Sequence, residues 1–177
     1  GAYFPGAEPA ALMGGRAAGS LGAVENQTQL SERGLEQIVG AYDGAVAYVD
    51  TWFGLLMAEL DQRQMLEDTV IVVMSDHGEE LGENGVFNHR YSLSEPVLHV
   101  PLMIRLPGGQ GGGRMVEETV ALLDILPTVL KIAGAELPAL TRGQDLLKER
   151  EETPAFSEGS FQSLSARSTQ GRLTFEG

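Results

Sequence analysis

Between residues 31 and 64 apolar side chains recur at three- and four-residue steps: Leu35, Ile38, Val39, Tyr42, Val46, Val49, Phe53, Leu56 and Leu60. That spacing predicts a long amphipathic helix with one apolar stripe. Ser31 suits its N-cap, and Glu32 sits near the positive end of its dipole. Gly34, Gly40, Gly44 and Gly54 each cost such a helix up to about 1 kcal/mol relative to alanine, which points to close packing against a sheet. Asp43 and Asp50 lie one heptad apart on nearly the same face. They read as a carboxylate pair or as solvated acids, and exposed acids are the norm.

The pattern then changes. Thr69-Val70-Ile71-Val72-Val73-Met74 is short, β-branched and continuous rather than alternating, as in a strand buried on both faces of a parallel sheet. Residues 100–106 predict a second strand, ended by Pro107-Gly108, and residues 115–120 a third. A glycine-rich surface loop lies between them. Asp124 can cap a helix over residues 125–133, with Pro127 tolerated in its first turn and Gly134 placed for a left-handed C-terminus. Residues 141–152 read as loop with a short helix, and residues 154–158 and 172–175 as short strands. Residues 1–30 have no sustained period and read as connector. Helices alternating with buried strands predict an α/β fold, a mainly parallel sheet flanked by helices.

Composition narrows the functional classes. With 42% hydrophobic and 21% charged residues, wholesale disorder is excluded. Acidic residues outnumber basic ones 25 to 12, and a net charge of −13 argues against nucleic acid or anionic lipid as partner and suits cation binding. No cysteine is present, which removes thiolate metal sites and a cysteine nucleophile from these 177 residues. No apolar run approaches the roughly 18 residues of a membrane span.

The chemistry concentrates in Ser75-Asp76-His77-Gly78-Glu79-Glu80-Leu81-Gly82-Glu83-Asn84-Gly85, directly after the first strand. Ligands of open α/β sheets bind beyond the carboxyl ends of strands. Asp76 offers a hard anionic oxygen there and His77 a neutral nitrogen, and both can hold a metal. The competing structural reading has Asp76 capping a following helix and His77 packed against the sheet. Glu79, Glu80 and Glu83 would fall in the first turn of that helix, where its dipole favours acids, and are not read as ligands. Ser75 should point to the opposite side of the strand from Asp76 and is not read as a nucleophile.

This segment, followed by Phe87-Asn88-His89, Ser92-Leu93, Val100-Pro101-Leu102-Met103-Ile104, Pro107-Gly108, Asp124-Ile125-Leu126-Pro127-Thr128-Val129-Leu130 and Ala133-Gly134, closely resembles the sulfatase family of the alkaline-phosphatase-like superfamily. Upstream, Tyr42-Asp43-Gly44-Ala45-Val46 through Val49-Asp50 and Gly54 resembles the long helix before the strand in those enzymes. The match covers roughly residues 35–160.

The resemblance implies a hydrolase of sulfate esters, small-molecule or glycan, acting at a bound divalent metal. Asp76 and His77 stand where the family has two metal ligands. His89, thirteen positions after Asp76, stands where a Lys or His contacts the transferred anionic group, against the plain reading of a polar loop histidine. Arg90 could aid anion binding, and His99 is read as structural. The family's usual metal is calcium, while an imidazole ligand suits manganese or zinc better. A periplasmic or secreted location is the family expectation.

The family's nucleophile, a Cys or Ser oxidised to formylglycine, and a further pair of acidic ligands belong to an N-terminal half. Neither matches here, and Ser165-Ala166-Arg167 lacks the spacing and position. Residues 31–177 are therefore expected to form the C-terminal portion of an incomplete alkaline-phosphatase-like catalytic domain, inactive alone. A phosphodiesterase, phosphonate hydrolase or phosphoethanolamine transferase of the same superfamily, and a non-catalytic sulfatase-like binding protein, are the alternatives.

Overall fold

The apolar stripe does form a helix. In the computed structural model α1 spans Glu32–Gln62, and the Ser31 hydroxyl accepts the Gly34 N–H at 3.2 Å as its N-cap. The model describes residues 31–83, 85, 87–89, 92–149, 153–159 and 163–175; the connector expected over residues 1–30 lies outside them. The stripe is only partly covered: Ile38, Val39, Phe53 and Leu60 are half-buried, but Val46, Val49 and Leu56, with Trp52 beside them, are more than half exposed. A Cβ added at Gly40 or Gly54 would meet nothing within 4 Å, so neither glycine marks a close helix–sheet approach. Asp43 and Asp50 are exposed, as solvated acids are.

The described residues fall into two units, one comprising those before residue 91 together with residues 99–112, the other residues 91–98 and 113–177. In the first, β1 (Ile71–Met74) pairs with β2 (Leu102–Arg105), with Val72 opposite Ile104 and Val73 opposite Met103. The pairing is antiparallel, where a parallel one was expected. A parallel return needs a crossover of a dozen or more residues, usually a helix laid on the sheet. Here the chain after β1 is irregular through Glu83, and it re-enters the sheet in the opposite sense. Arg105 fastens the strand pair to the turn that precedes β1: its Nη1 donates to Leu66 O at 2.6 Å and its Nη2 meets Glu67 Oε1 at 3.1 Å.

In the second unit, α2 (Glu95–Leu98) holds Val97, the one fully buried hydrophobic residue among those described. The antiparallel meander β3 (Ala155–Glu158), β4 (Leu164–Ser168) and β5 (Gly171–Phe175) fulfils two expected strands and adds β4, which was not expected. Residues 115–120 form no strand, and the described part of 141–152 forms no helix. Glu95 pairs with Arg167 and, at 3.7 Å, with Arg172, while Arg172 also donates to Leu93 O at 3.1 Å. The hydrogen bond to Glu95 holds the Arg167 guanidinium above its ordinary value.

The helix expected over 125–133 is α3, Ile125–Ile132, and Gly134 follows it at φ +67°. Asp124 occupies its N-cap position, yet its side chain makes no cap bond to α3. Instead, Oδ2 accepts from Ala121 N at 2.9 Å and Oδ1 from Gln144 N at 2.8 Å. Thr128, 1% exposed, donates its hydroxyl to Asp124 O at 2.6 Å and accepts from Leu146 N at 2.9 Å. Gly143 allows this approach, since at φ +92° a Cβ there would lie 2.4 Å from Leu123 O. Two buried polar side chains thus bind the 144–146 segment to the start of α3.

Thr128→Val keeps the shape but leaves the Leu146 N–H without this acceptor. It should cost about 1–3 kcal/mol in chemical denaturation of the protein, with Thr128→Ser losing distinctly less.

Candidate active site

The site begins where β1 ends. Ser75 donates its hydroxyl to His77 O at 2.6 Å, and Asp76 Oδ1 accepts the His77 backbone N–H at 3.0 Å. These local bonds hold a turn rather than starting a helix. No helix follows through Glu83, so Asp76 is not a helix cap and the neighbouring glutamates owe nothing to a helix dipole.

The chain then folds back. Gly85 N donates to Gly82 O at 3.0 Å, closing a reversal. Farther along the same loop, Glu80 N donates to Asn88 O at 3.3 Å. With Glu80 opposite Asn88, the next pair outward is Glu79 and His89. Gly82 is required at the bend: its φ is +105°, and a Cβ there would sit 2.7 Å from Phe87 Cζ and 3.5 Å from Leu35 of α1. Phe87 therefore packs directly on the glycine, and the loop lies against the start of α1.

This reversal brings His89 onto His77, twelve positions before it in the sequence. The rings of His77 and His89 stack at 4.0 Å between centroids, 19° from parallel. His77 Nε2 lies 3.8 Å from Asp76 Oδ1. His77 Nδ1 is 2.9 Å from Gly78 O. A carbonyl oxygen only accepts, so Nδ1 carries the proton and Nε2 presents a lone pair. That is the arrangement of a metal-ligating histidine, whose second nitrogen is usually tied to a backbone carbonyl or carboxylate. Asp76 and His77 are the residues here whose donor atoms could share an ion.

Glu79 was not expected at the site. Its Oε2 lies 2.9 Å from His89 Nδ1, both side chains being partly buried. Gly82 and Gly85 signalled a turn between the acids and His89, but not which acid would meet the imidazole. Glu80 is buried, at 1% exposure. Glu83 Oε2 accepts Leu81 N at 2.7 Å. His99, just before β2, is exposed rather than partly buried. Arg90 lies outside the described residues.

The sulfatase family model matches residues 11–135. The chain belongs to the sulfatase family. It is 37% identical to mouse steryl-sulfatase over 122 residues, covering 61% of this chain and 20% of that protein. To human arylsulfatase K it is 34% identical over 125 residues, covering 71% of this chain and 23% of that protein. Among solved structures it resembles BT4656 in complex with its substrate D-glucosamine-2-N,6-O-disulfate, at TM-score 0.58 and 26% identity, over 73% of this chain and 29% of that one. The fold is accordingly that of the alkaline-phosphatase-like superfamily, and this sulfatase chain spans about a fifth to a quarter of its relatives' length. Among the described residues no helix is long and apolar enough to cross a membrane.

Gly82→Ala forces both an unfavourable φ and a clash with Phe87. Strain of this kind costs about 1–3 kcal/mol. The variant should melt at lower temperature and be cut faster by protease within residues 76–89, read by mass spectrometry of the fragments.

Proposed function

We propose that the protein hydrolyses sulfate esters, with Asp76 and His77 holding a divalent metal and His89 contacting the sulfate group. Family membership supports the reaction class. The observation that carries the site is the His77 ring, whose Nδ1 is committed to Gly78 O and whose Nε2 stands 3.8 Å from Asp76 Oδ1. Metal–ligand distances of about 2.0–2.4 Å let one ion touch two donors so spaced. The donor set therefore fits a metal.

It does not complete one. Among the described residues no group of three His, Cys, Asp or Glu side chains converges, and calcium takes about 6–8 oxygen ligands. The remaining ligands and the nucleophile come, in this reading, from elsewhere in the whole protein, of which this chain is the C-terminal portion of the catalytic domain. The small share of each relative that it spans supports this. Calcium is the metal the resemblance implies, and the imidazole of His77 favours manganese or zinc. When bound, the metal supplies Lewis-acid polarisation of the ester's oxygens.

The chain's own residues do the rest of what can be assigned. Asp76 brings negative charge to the cation, and His77 brings a neutral nitrogen oriented by Gly78. His89, stacked on His77, holds its Nε2 toward an anion bound beside them, where a donor aimed at developing charge stabilises the transition state. A sulfated sugar is the substrate class proposed, by likeness to the structure bound to D-glucosamine-2-N,6-O-disulfate.

The protein carrying this chain should turn over chromogenic and sugar sulfate esters. His89→Ala should lower turnover at least about tenfold with metal content unchanged. Asp76→Ala should lose metal and activity together. Elemental analysis and steady-state kinetics on the same preparations check this. Hydrolysis of phosphonate or phosphate diesters without sulfate esters would move the reading to phosphoryl chemistry.

A further inference from the structure

Most of the acids around the site are explained by the fold. Glu83 accepts from Leu81 N within its own turn, and Asp76 lies beside His77. Glu79 is different. Among the described residues its side chain pairs with the imidazole assigned to the substrate, and with neither Asp76 nor His77.

Three features define the contact. Glu79 Oε2 lies 2.9 Å from His89 Nδ1, and the two side chains are 27% and 38% exposed. The bond does not rest on side-chain rotamers alone, because the adjacent Glu80 N–H to Asn88 O bond sets the two backbones opposite each other. The far face of the His89 ring is occupied by His77, at 4.0 Å and 19°. An imidazole gripped at its edge by a carboxylate and on its face by a second ring has little rotational freedom left. A carboxylate oxygen accepts, so Nδ1 carries the proton in this contact and Nε2 is the nitrogen left for chemistry.

We infer that Glu79 is a positioning residue for His89, fixing the Nδ1–H tautomer and the ring plane so that Nε2 faces the ester. The inference rests on the function proposed above for the site. It gives the glutamate after Asp76-His77-Gly78 a task separate from metal binding, since the oxygen that reaches His89 is committed to a hydrogen bond. A carboxylate that sets the tautomer of a working histidine is worth large factors in rate although it never meets the substrate.

In the whole enzyme, Glu79→Ala should lower kcat at least about tenfold, with KM changed far less and bound metal unchanged. Glu79→Gln keeps an oxygen acceptor for Nδ1–H and should recover most of that loss, whereas Glu79→Leu should not. Combining Glu79→Ala with His89→Ala should be no worse than His89→Ala alone, because both remove one coupled unit. Histidine-selective 15N labelling gives a readout independent of turnover, with His89 assigned by its own substitution. The neutral His89 ring should be in the Nδ1–H form in the parent protein and lose it in Glu79→Ala. A Glu79→Ala enzyme with parental kcat, multiplicative losses in the double variant, or an unchanged His89 tautomer would each overturn the inference. If the parent hydrolyses no ester, the proposed function fails, and the tautomer comparison still decides whether Glu79 sets His89.

Discussion

The candidate site depends on a single reversal of the chain. Once Gly82 turns at φ +105° under the Phe87 ring and Glu80 pairs through its backbone with Asn88, Glu79 is set opposite His89. Glu79 must meet His89, and His89 must pass over His77. A residue with a Cβ at 82 would strain the bend, and a register one residue different would present His89 to another neighbour. The loop needs this internal bonding because no helix follows β1 to hold Asp76 and His77 in place.

The same economy runs through the second unit, where polar side chains do what apolar packing does in most domains. Val97 is the only buried hydrophobic residue among those described, whereas Asp124, Thr128 and Ser165 of this unit are all buried. Asp124 and Thr128 satisfy three backbone N–H groups between them. Glu95 and its two arginines tie α2 to β4 and β5. Buried polar groups of this kind specify position sharply, since each is costly when left unpaired. The large apolar surface that remains open, the α1 stripe above all, accords with a chain that spans a fifth to a quarter of its relatives.

Chemically, the site separates two imidazoles by what their Nδ1 atoms do. Gly78 O takes that of His77 and the Glu79 carboxylate takes that of His89. In the proposed function, the carbonyl at Nδ1 suits a ring whose other nitrogen, Nε2, is to bind a cation. In the same proposal, the carboxylate at Nδ1 suits a ring that keeps its orientation while charge develops on an ester in front of it. Two stacked rings of the same residue type can therefore serve different roles, set by one neighbour each.

The local elements and the family were legible in the sequence, because each is written in residues close together. The three- and four-residue apolar spacing gave α1 with its Ser31 cap, the β-branched run gave β1, and Asp76-His77-Gly78 with the motifs after it identified the family. Pairing was not legible. A continuous apolar strand suits a parallel or an antiparallel neighbour, and the sense of β1 against β2 was decided by the path of the chain between them. Residues 115–120 have a strand's composition and form none, since composition cannot supply a partner. Asp124 sits at a cap position and bonds elsewhere, because Gly143 lets a distant segment reach it first. Glu79 is the clearest case. Nothing in its flanking residues distinguishes it from Glu80 or Glu83, and only the register of the closed loop, a tertiary fact, decides which of the three carboxylates meets the imidazole.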